Sequence, residues 1–246
     1  MLNQTTIDKL NMMKLYGIVS AFQGQLESPK YNELSFDERF GMIIDKEMTE
    51  RENRRLKGLL KSAKLRYNQA CVEDIDFKAR RGLIREQIIS ISRNDWIKQR
   101  HNVIITGSTG SGKTYIACAF GNSACRSGIS AYYVRLPELL EDMTIARADS
   151  SFGRIRTRLS RIKLLILDDW GIDALTDKER RNILEVIEDR YDINSTILSS
   201  QLPIEKWHDN IGDPTVADAI CDRLVHNAHK INLSGESMRK NNFKLT

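Results

Sequence analysis

Residues 107–114 read Gly107-Ser108-Thr109-Gly110-Ser111-Gly112-Lys113-Thr114 and fit G-x-x-x-x-G-K-[ST] at every fixed position. An apolar run precedes them at 103–106 and a helical pattern follows. No other feature narrows the fold as far, because the motif works only where a strand turns tightly into a helix. Its spelling has a physical reason. Glycines let the backbone curl until its N–H groups point inward at phosphate oxygens. The helix that follows adds the positive end of its dipole. In that geometry Lys113 reaches the β- and γ-phosphates of a nucleoside triphosphate, and the Thr114 hydroxyl is a magnesium ligand.

Around this loop the pattern alternates. Short apolar or β-branched windows at 103–106, 131–134, 164–167, 196–199 and 230–233 are separated by helical stretches, one of which opens with the capping box Thr176-Asp177-Lys178-Glu179. Such alternation predicts an α/β fold with a five-stranded parallel sheet covered by helices. Before about residue 70 the chain reads as helical instead, so a small all-helical domain over 1–70 is expected ahead of a nucleotide-binding domain over 71–246. Within the first part, Leu15, Ile18, Phe22 and Leu26 share a helix face, and Ser35-Phe36-Asp37-Glu38 has the form of a second capping box. The helix it starts is expected to bury Phe36, Phe40, Ile43, Ile44, Leu56, Leu59 and Leu60.

Three further groups point toward the phosphate loop. Leu164-Leu165-Ile166-Leu167-Asp168-Asp169 delivers two carboxylates at the end of a buried strand, where open parallel sheets bind ligands. Asp168 is expected to hold magnesium, and Asp169 to orient the attacking water. Ser200 and Gln201 close the next strand and are candidates for positioning the same water. Asp222-Arg223-Leu224 follows Pro214 on a helical segment. There Arg223 is far from its own phosphates and suits a finger supplied to a neighbour's nucleotide, with a surface ion pair to Asp222 as the plainer alternative.

The chain carries 38 basic and 33 acidic side chains, a net charge of +5 with a pI near 9.0, which favours a polyanionic partner. Two cationic runs focus that excess. Arg54, Arg55, Lys57, Lys61, Lys64 and Arg66 occur without an intervening acid, and Arg154, Arg156, Arg158, Arg161 and Lys163 precede the two-carboxylate strand. A solvated helix face normally mixes signs, so both runs are candidates for the DNA backbone, with a plain solvated face as the alternative. The four cysteines form no CxxC pair and fit no zinc spacing. No nuclease constellation is visible, no apolar run is long enough to span a bilayer, and the N-terminus lacks a signal-peptide pattern. A cytoplasmic location is expected.

The phosphate loop, the two-carboxylate strand, the polar strand end and the downstream arginine together resemble an AAA+ ATPase. The likeness is closer to the IstB family, the ATP-dependent helpers of IS21-type transposons. It rests on Ser200-Gln201-Leu202-Pro203-Ile204-Glu205-Lys206-Trp207-His208, and on Met13-Lys14-Leu15-Tyr16-Gly17, Pro29-Lys30-Tyr31, Leu34-Ser35-Phe36-Asp37-Glu38-Arg39 and Arg51-Glu52-Asn53-Arg54-Arg55-Leu56. The resemblance implies an AAA+ P-loop core, use of ATP with Mg²⁺, assembly on duplex DNA as an ATP-dependent ring or helical homo-oligomer, and recruitment or stimulation of a separate transposase. A DnaC-like replicative helicase loader, which shares that core, is the alternative. A small-molecule kinase is the third reading, and it would have no use for a basic helical extension. Two departures stand out. Asp169 occupies a position that is glutamate in most AAA+ proteins. Only about thirteen residues follow the last strand window, which leaves no room for a C-terminal helical lid. Arg239 is the candidate to replace the arginine such a lid would carry.

Overall fold

The computed structural model describes residues 2–79, 81–235 and 237–238. By packing, the chain divides into two units, Met1–Gly58 and Leu59–Thr246. The division falls earlier than the compositional change near residue 70.

The first unit is built from α1 (Leu2–Met12), α2 (Tyr16–Glu27), a 3-10 turn at Pro29–Glu33 and most of α3 (Phe36–Ala63). The Ser35 box starts α3 as its spelling requires. The Glu38 amide donates to the Ser35 hydroxyl at 3.3 Å and the Glu38 carboxylate accepts from the Ser35 amide at 2.8 Å. At the centre of this unit lies a carboxylate. Glu47 on α3, 6% exposed, accepts from the amides of Gly17 and Ile18 at the start of α2, at 2.7 and 3.2 Å. It also takes Arg51 Nε at 2.7 Å and Arg54 Nη2 at 3.4 Å. The Arg51 hydrogen bond, with the two amides, holds the Glu47 carboxyl below the usual range against its burial. Gly17 is obligatory here, since a Cβ would come within 2.5 Å of the Glu47 Cα.

The expected burial along α3 needs correction. Ile43 is buried, but Phe36, Phe40 and Ile44 are exposed, and Leu56 is half-buried. Phe36 and Phe40 stack on each other in solvent with ring centroids 5.8 Å apart. Leu26 on α2 is likewise exposed.

The second unit continues through α4 (Arg85–Ser92) and α5 (Asp95–Lys98) into β1 (Asn102–Gly107). Then follow α6 (Lys113–Arg126), β2 (Ala131–Arg135), α7 (Leu136–Ala148), α8 (Phe152–Arg161), β3 (Leu164–Trp170), α9 (Asp177–Arg190), β4 (Ser195–Ser200), α10 (Trp207–Ile211), α11 (Pro214–Val225) and β5 (Ala228–Leu233). Every strand pairing is parallel, in the order β2-β3-β4-β1-β5. Each window read as a strand lies within one of the five. The core is tight: residues 103–105, 164–167, Ile197 and Leu198 are fully buried. Such near-continuous apolar runs are what a parallel sheet covered on both faces requires. The Thr176 box opens α9 with both reciprocal bonds in place. Among the described residues no helical lid follows β5, and no helix is long and apolar enough to cross a membrane.

Candidate active site

The site forms at the carboxyl ends of β1, β3 and β4, brought side by side by the strand order. After β1 the chain turns through Gly107, Gly110 and Gly112, all at positive φ (149°, 82° and 97°). Side chains are excluded there by space as well as by conformation. A Cβ on Gly107 would meet the Leu233 carbonyl at 2.3 Å, and one on Gly110 the Ser237 hydroxyl at 2.1 Å. Lys113 heads α6, and its ammonium donates back to the loop carbonyls of Gly107 and Ser108 at 2.8 and 3.0 Å. Ser111 is fully buried, and the Ser108 hydroxyl points to the Gly235 carbonyl at 3.5 Å.

Asp168 is fully buried and collects three hydroxyls. Thr114 donates to Oδ2 at 2.9 Å, Tyr133 donates to the same oxygen at 2.7 Å, and Ser199 donates to Oδ1. Burial, together with the Asp168 hydrogen bond, drives the Tyr133 phenol well above its ordinary pKa. The neighbouring Tyr133 phenol in turn raises the pKa of the Arg66 guanidinium. Arg66 closes the first cationic run, yet it lines the nucleotide cleft.

Asp169 behaves differently because the β3–β4 register shifts between Leu167 and Trp170 and Asp169 takes φ 63°. That kink turns its carboxylate, 18% exposed, away from the Asp168 hydroxyls and onto Arg135 Nε at 2.7 Å. Arg135 is also within 3.4 Å of Glu138. Of the two candidate water-positioning residues, only Gln201 lines the cleft, where its Oε1 accepts from Thr109 at 2.6 Å. Ser200 is fully buried and spends its hydroxyl on the Trp170 carbonyl at 2.7 Å and the Leu202 amide at 3.0 Å. The cleft measures about 610 Å³ and is lined by Arg66, Tyr67, Arg81, Thr109, Gly110, Lys113, Thr114, Tyr115, Arg135, Asp169 and Gln201, among others. Tyr133 and Arg135, both on β2, and Arg81, on the segment before α4, carried no spacing signal that ties them to the phosphate loop. Arg239 lies outside the described residues.

Arg223 lies at the other end of the sheet. Asn102, which begins β1, donates to the Arg223 and Leu224 carbonyls at 3.2 Å each. The phosphate loop begins at the far end of β1, roughly 17 Å away at the rise of a parallel strand. The Arg223 guanidinium pairs with Glu188 at 3.2 Å and lies 5.8 Å from the Tyr191 ring centre, so its ion-pair partner is not Asp222.

The two cationic runs resolve into different roles. Arg54 is tied to Glu47 and lies over the Tyr16 ring, 5.2 Å from its centre. Arg55 is exposed on α3, as are Lys57 and Lys61, and Lys64 is exposed just beyond it. Arg156 is held by Glu185 and Asp189, both at 2.7 Å. Arg154, Arg158 and Arg161 occupy one exposed face of α8, and Arg158 lies 4.2 Å from the Tyr132 ring centre.

The profile of the IstB-like ATP binding protein family matches residues 8–246. The chain belongs to that family. It is 45% identical over 241 residues to the insertion sequence ATP-binding protein y4pL of Sinorhizobium fredii, covering 98% of each chain. It is 48% identical over 203 residues to the ATP-binding protein of insertion sequence IS1162 of Pseudomonas fluorescens, covering 82% of this chain and 88% of that protein. Among solved structures, DnaI matches with a TM-score of 0.58 at 20% identity, over 67% of this chain and 91% of that one. The DnaC helicase loader matches with a TM-score of 0.56 at 20% identity, over 68% of this chain and 98% of that one. The fold is therefore that of an AAA+ core, and this family member is an ATPase of the IstB type.

Proposed function

We propose that this ATPase assembles on duplex DNA, largely without regard to sequence, and recruits or stimulates a separate transposase. The observation that carries the reading is the likeness, over nearly the whole chain, to ATP-binding proteins of insertion sequences. The exposed cationic face of α8 adds to it, with Arg154, Arg158 and Arg161 at helical spacing. Arginines in such a row meet phosphates and carry little base information. Lys57, Lys61 and Lys64 offer a second basic stretch, while Arg54 and Arg156 already have carboxylate partners that phosphate would have to displace.

At the nucleotide, residues 107–112 and the start of α6 cradle the phosphates, and Lys113 meets the β- and γ-phosphates. Thr114 lines the cleft, and its hydroxyl lies 2.9 Å from the carboxylate of the buried Asp168 just behind it, so two oxygen donors stand together. Mg²⁺ suits this set, being a hard cation commonly held by one or two protein oxygens, phosphate oxygens and water. Bound there, the ion would neutralise phosphate charge. Asp169 and Gln201 orient the attacking water, and Asp169 must first leave Arg135. Arg223 cannot serve its own nucleotide from the far end of the sheet. It acts on a neighbour's, which makes a head-to-tail homo-oligomer, ring or helix, the working form.

The likeness to DnaI and DnaC keeps helicase loading as the second reading, though those matches cover about two thirds of this chain. One mixing experiment separates the two. ATP hydrolysis is measured with duplex DNA, with a replicative helicase, and with the transposase plus DNA. Stimulation by duplex DNA that fades steeply with salt, as counterion release requires, supports the transposition role. Stimulation by the helicase alone sinks it.

A further inference from the structure

Between α3 and α4, residues 64–84 have no regular secondary structure among those described, yet Leu65, Ala70 and Ile75 are buried. Near the end of this strap is Arg81, only 5% exposed. Its Nη1 donates to the Ser111 carbonyl of the phosphate loop at 3.1 Å, and its Nη2 to the Asp76 carbonyl at 2.9 Å. Its Nε is buried without an acceptor, and no carboxylate pairs with it among the described residues. The Asp76 carboxylate is turned to the Lys78 amide instead, at 2.8 Å. Arg81 Nη1 lies so close to the loop that a Cβ on Gly112 would come within 2.5 Å of it.

The other deeply buried arginine shows what a purely structural role looks like. Arg190, 2% exposed, donates to the carbonyls of Leu159, Ile162 and Ser195 and to the Thr196 hydroxyl, which ties α8, α9 and β4 together. Arg81 has two acceptors for five N–H groups. Burial lowers its pKa from the ordinary arginine value, and Asp76 offsets this only in part. A buried cation left in this state is costly unless an anion completes its shell. Its guanidinium lines the same cleft as Gly112, Lys113 and Thr114.

We propose that Arg81 senses nucleotide charge: the polyphosphate is its missing counter-ion, and phosphate binding fixes the strap around Asp76 and Arg81 against the phosphate loop. Arg81 is then a positioning residue that couples occupancy to the order of this segment. The inference rests on residues 107–114 being the phosphate site.

The test compares adenosine with ADP, which differ only in phosphate. Hydrogen exchange of amides 76–82 in the full-length wild type is expected to slow about tenfold with saturating ADP and to change less than about twofold with saturating adenosine. Equal protection by the two, or none by ADP, overturns the proposal. In parallel, Arg81→Met is expected to melt no lower than wild type without nucleotide, yet to bind ADP about tenfold more weakly. For ATP hydrolysis its KM should rise while kcat at saturation stays within about threefold. Arg81→Lys, which keeps the charge, should fall between the two. A lower melting temperature without nucleotide and an unchanged ADP affinity would make Arg81 a brace like Arg190. Should the variants not fold, the exchange comparison on the wild type decides alone. A wild type that binds no ADP would instead remove the phosphate-site assignment, and the sensor with it.

Discussion

At the carboxyl ends of β1, β3 and β4, three neutral hydroxyls converge on the buried carboxylate of Asp168. At the amino ends of β1 and β4, three arginines, Arg100, Arg190 and Arg223, surround a cavity of only about 20 Å³. The same sheet thus ends in a concave site fitted for phosphate on one side and a cationic edge on the other. Arg190 is consumed by internal oxygens, whereas Arg223 has a single, partly exposed carboxylate partner that a stronger anion could displace. One copy has the means to receive a nucleotide and to offer a cation, but at opposite poles.

This contrast can be broken most sharply at the cationic end. Arg223→Ala is expected to cut ATP hydrolysis by roughly 10³-fold, as loss of an arginine finger does elsewhere, while leaving ATP affinity within about twofold. Mixing it with Lys113→Ala should restore part of the activity, because mixed interfaces pair an intact loop with an intact finger. Hydrolysis at the assembly's rate by isolated monomers would break the comparison. At the anionic end, Asp169→Asn should bind ATP normally and lose roughly 10²-fold in turnover, the scale of a lost base. An undiminished rate would mean that Asp169 does not orient the water.

Lys113→Ala should weaken ATP binding by more than about tenfold through the lost charge-assisted contacts, measured by nucleotide titration. Gln201→Ala and Ser200→Ala sharpen the description of the β4 end. The first should lower kcat with little change in melting temperature. The second should destabilise by about 1 kcal/mol through the lost Trp170 contact, with kcat nearly intact. The reverse pattern would exchange their roles. Smallest of all, Glu188→Gln removes an exposed ion pair and should change stability by less than about 1 kcal/mol. A large loss of hydrolysis in that variant would mean that Arg223 works through its own Glu188.

Those features that follow short-range rules were readable from the chain itself. The phosphate loop, both capping boxes and all five strand windows involve residues within a few positions of one another. The windows at 103–106 and 164–167 stood out because a strand buried on both faces tolerates hardly any polar residue, whereas the edge strand β5 alternates buried Ile231 and Leu233 with exposed Lys230 and Asn232. What escaped depends on distant partners. Arg154 and Arg156 look alike in sequence, but only Arg156 meets Glu185 and Asp189 on α9. Phe36 and Phe40 have the right spacing for a buried face, yet periodicity names a face without supplying anything to cover it. Asp168 was legible as a strand-end carboxylate, while its partner Tyr133 comes from another strand and has no positional signature. Ser199 and Ser200 stand side by side at the end of β4, and sequence alone does not reveal that Ser199 meets Asp168 while Ser200 turns to the Trp170 carbonyl.

The strand order also has a consequence for synthesis. β1, which carries the phosphate loop, bonds only to β4 and β5, whose paired residues lie about ninety or more positions later. A ribosome adding about 5–20 residues per second would leave that strand unpaired for several seconds at least. Topologies dominated by such distant pairings fold slowly. The nascent chain therefore exposes an apolar β1 until residues 195–200 have emerged to pair with it, and the edge that supports the phosphate loop can form only after that.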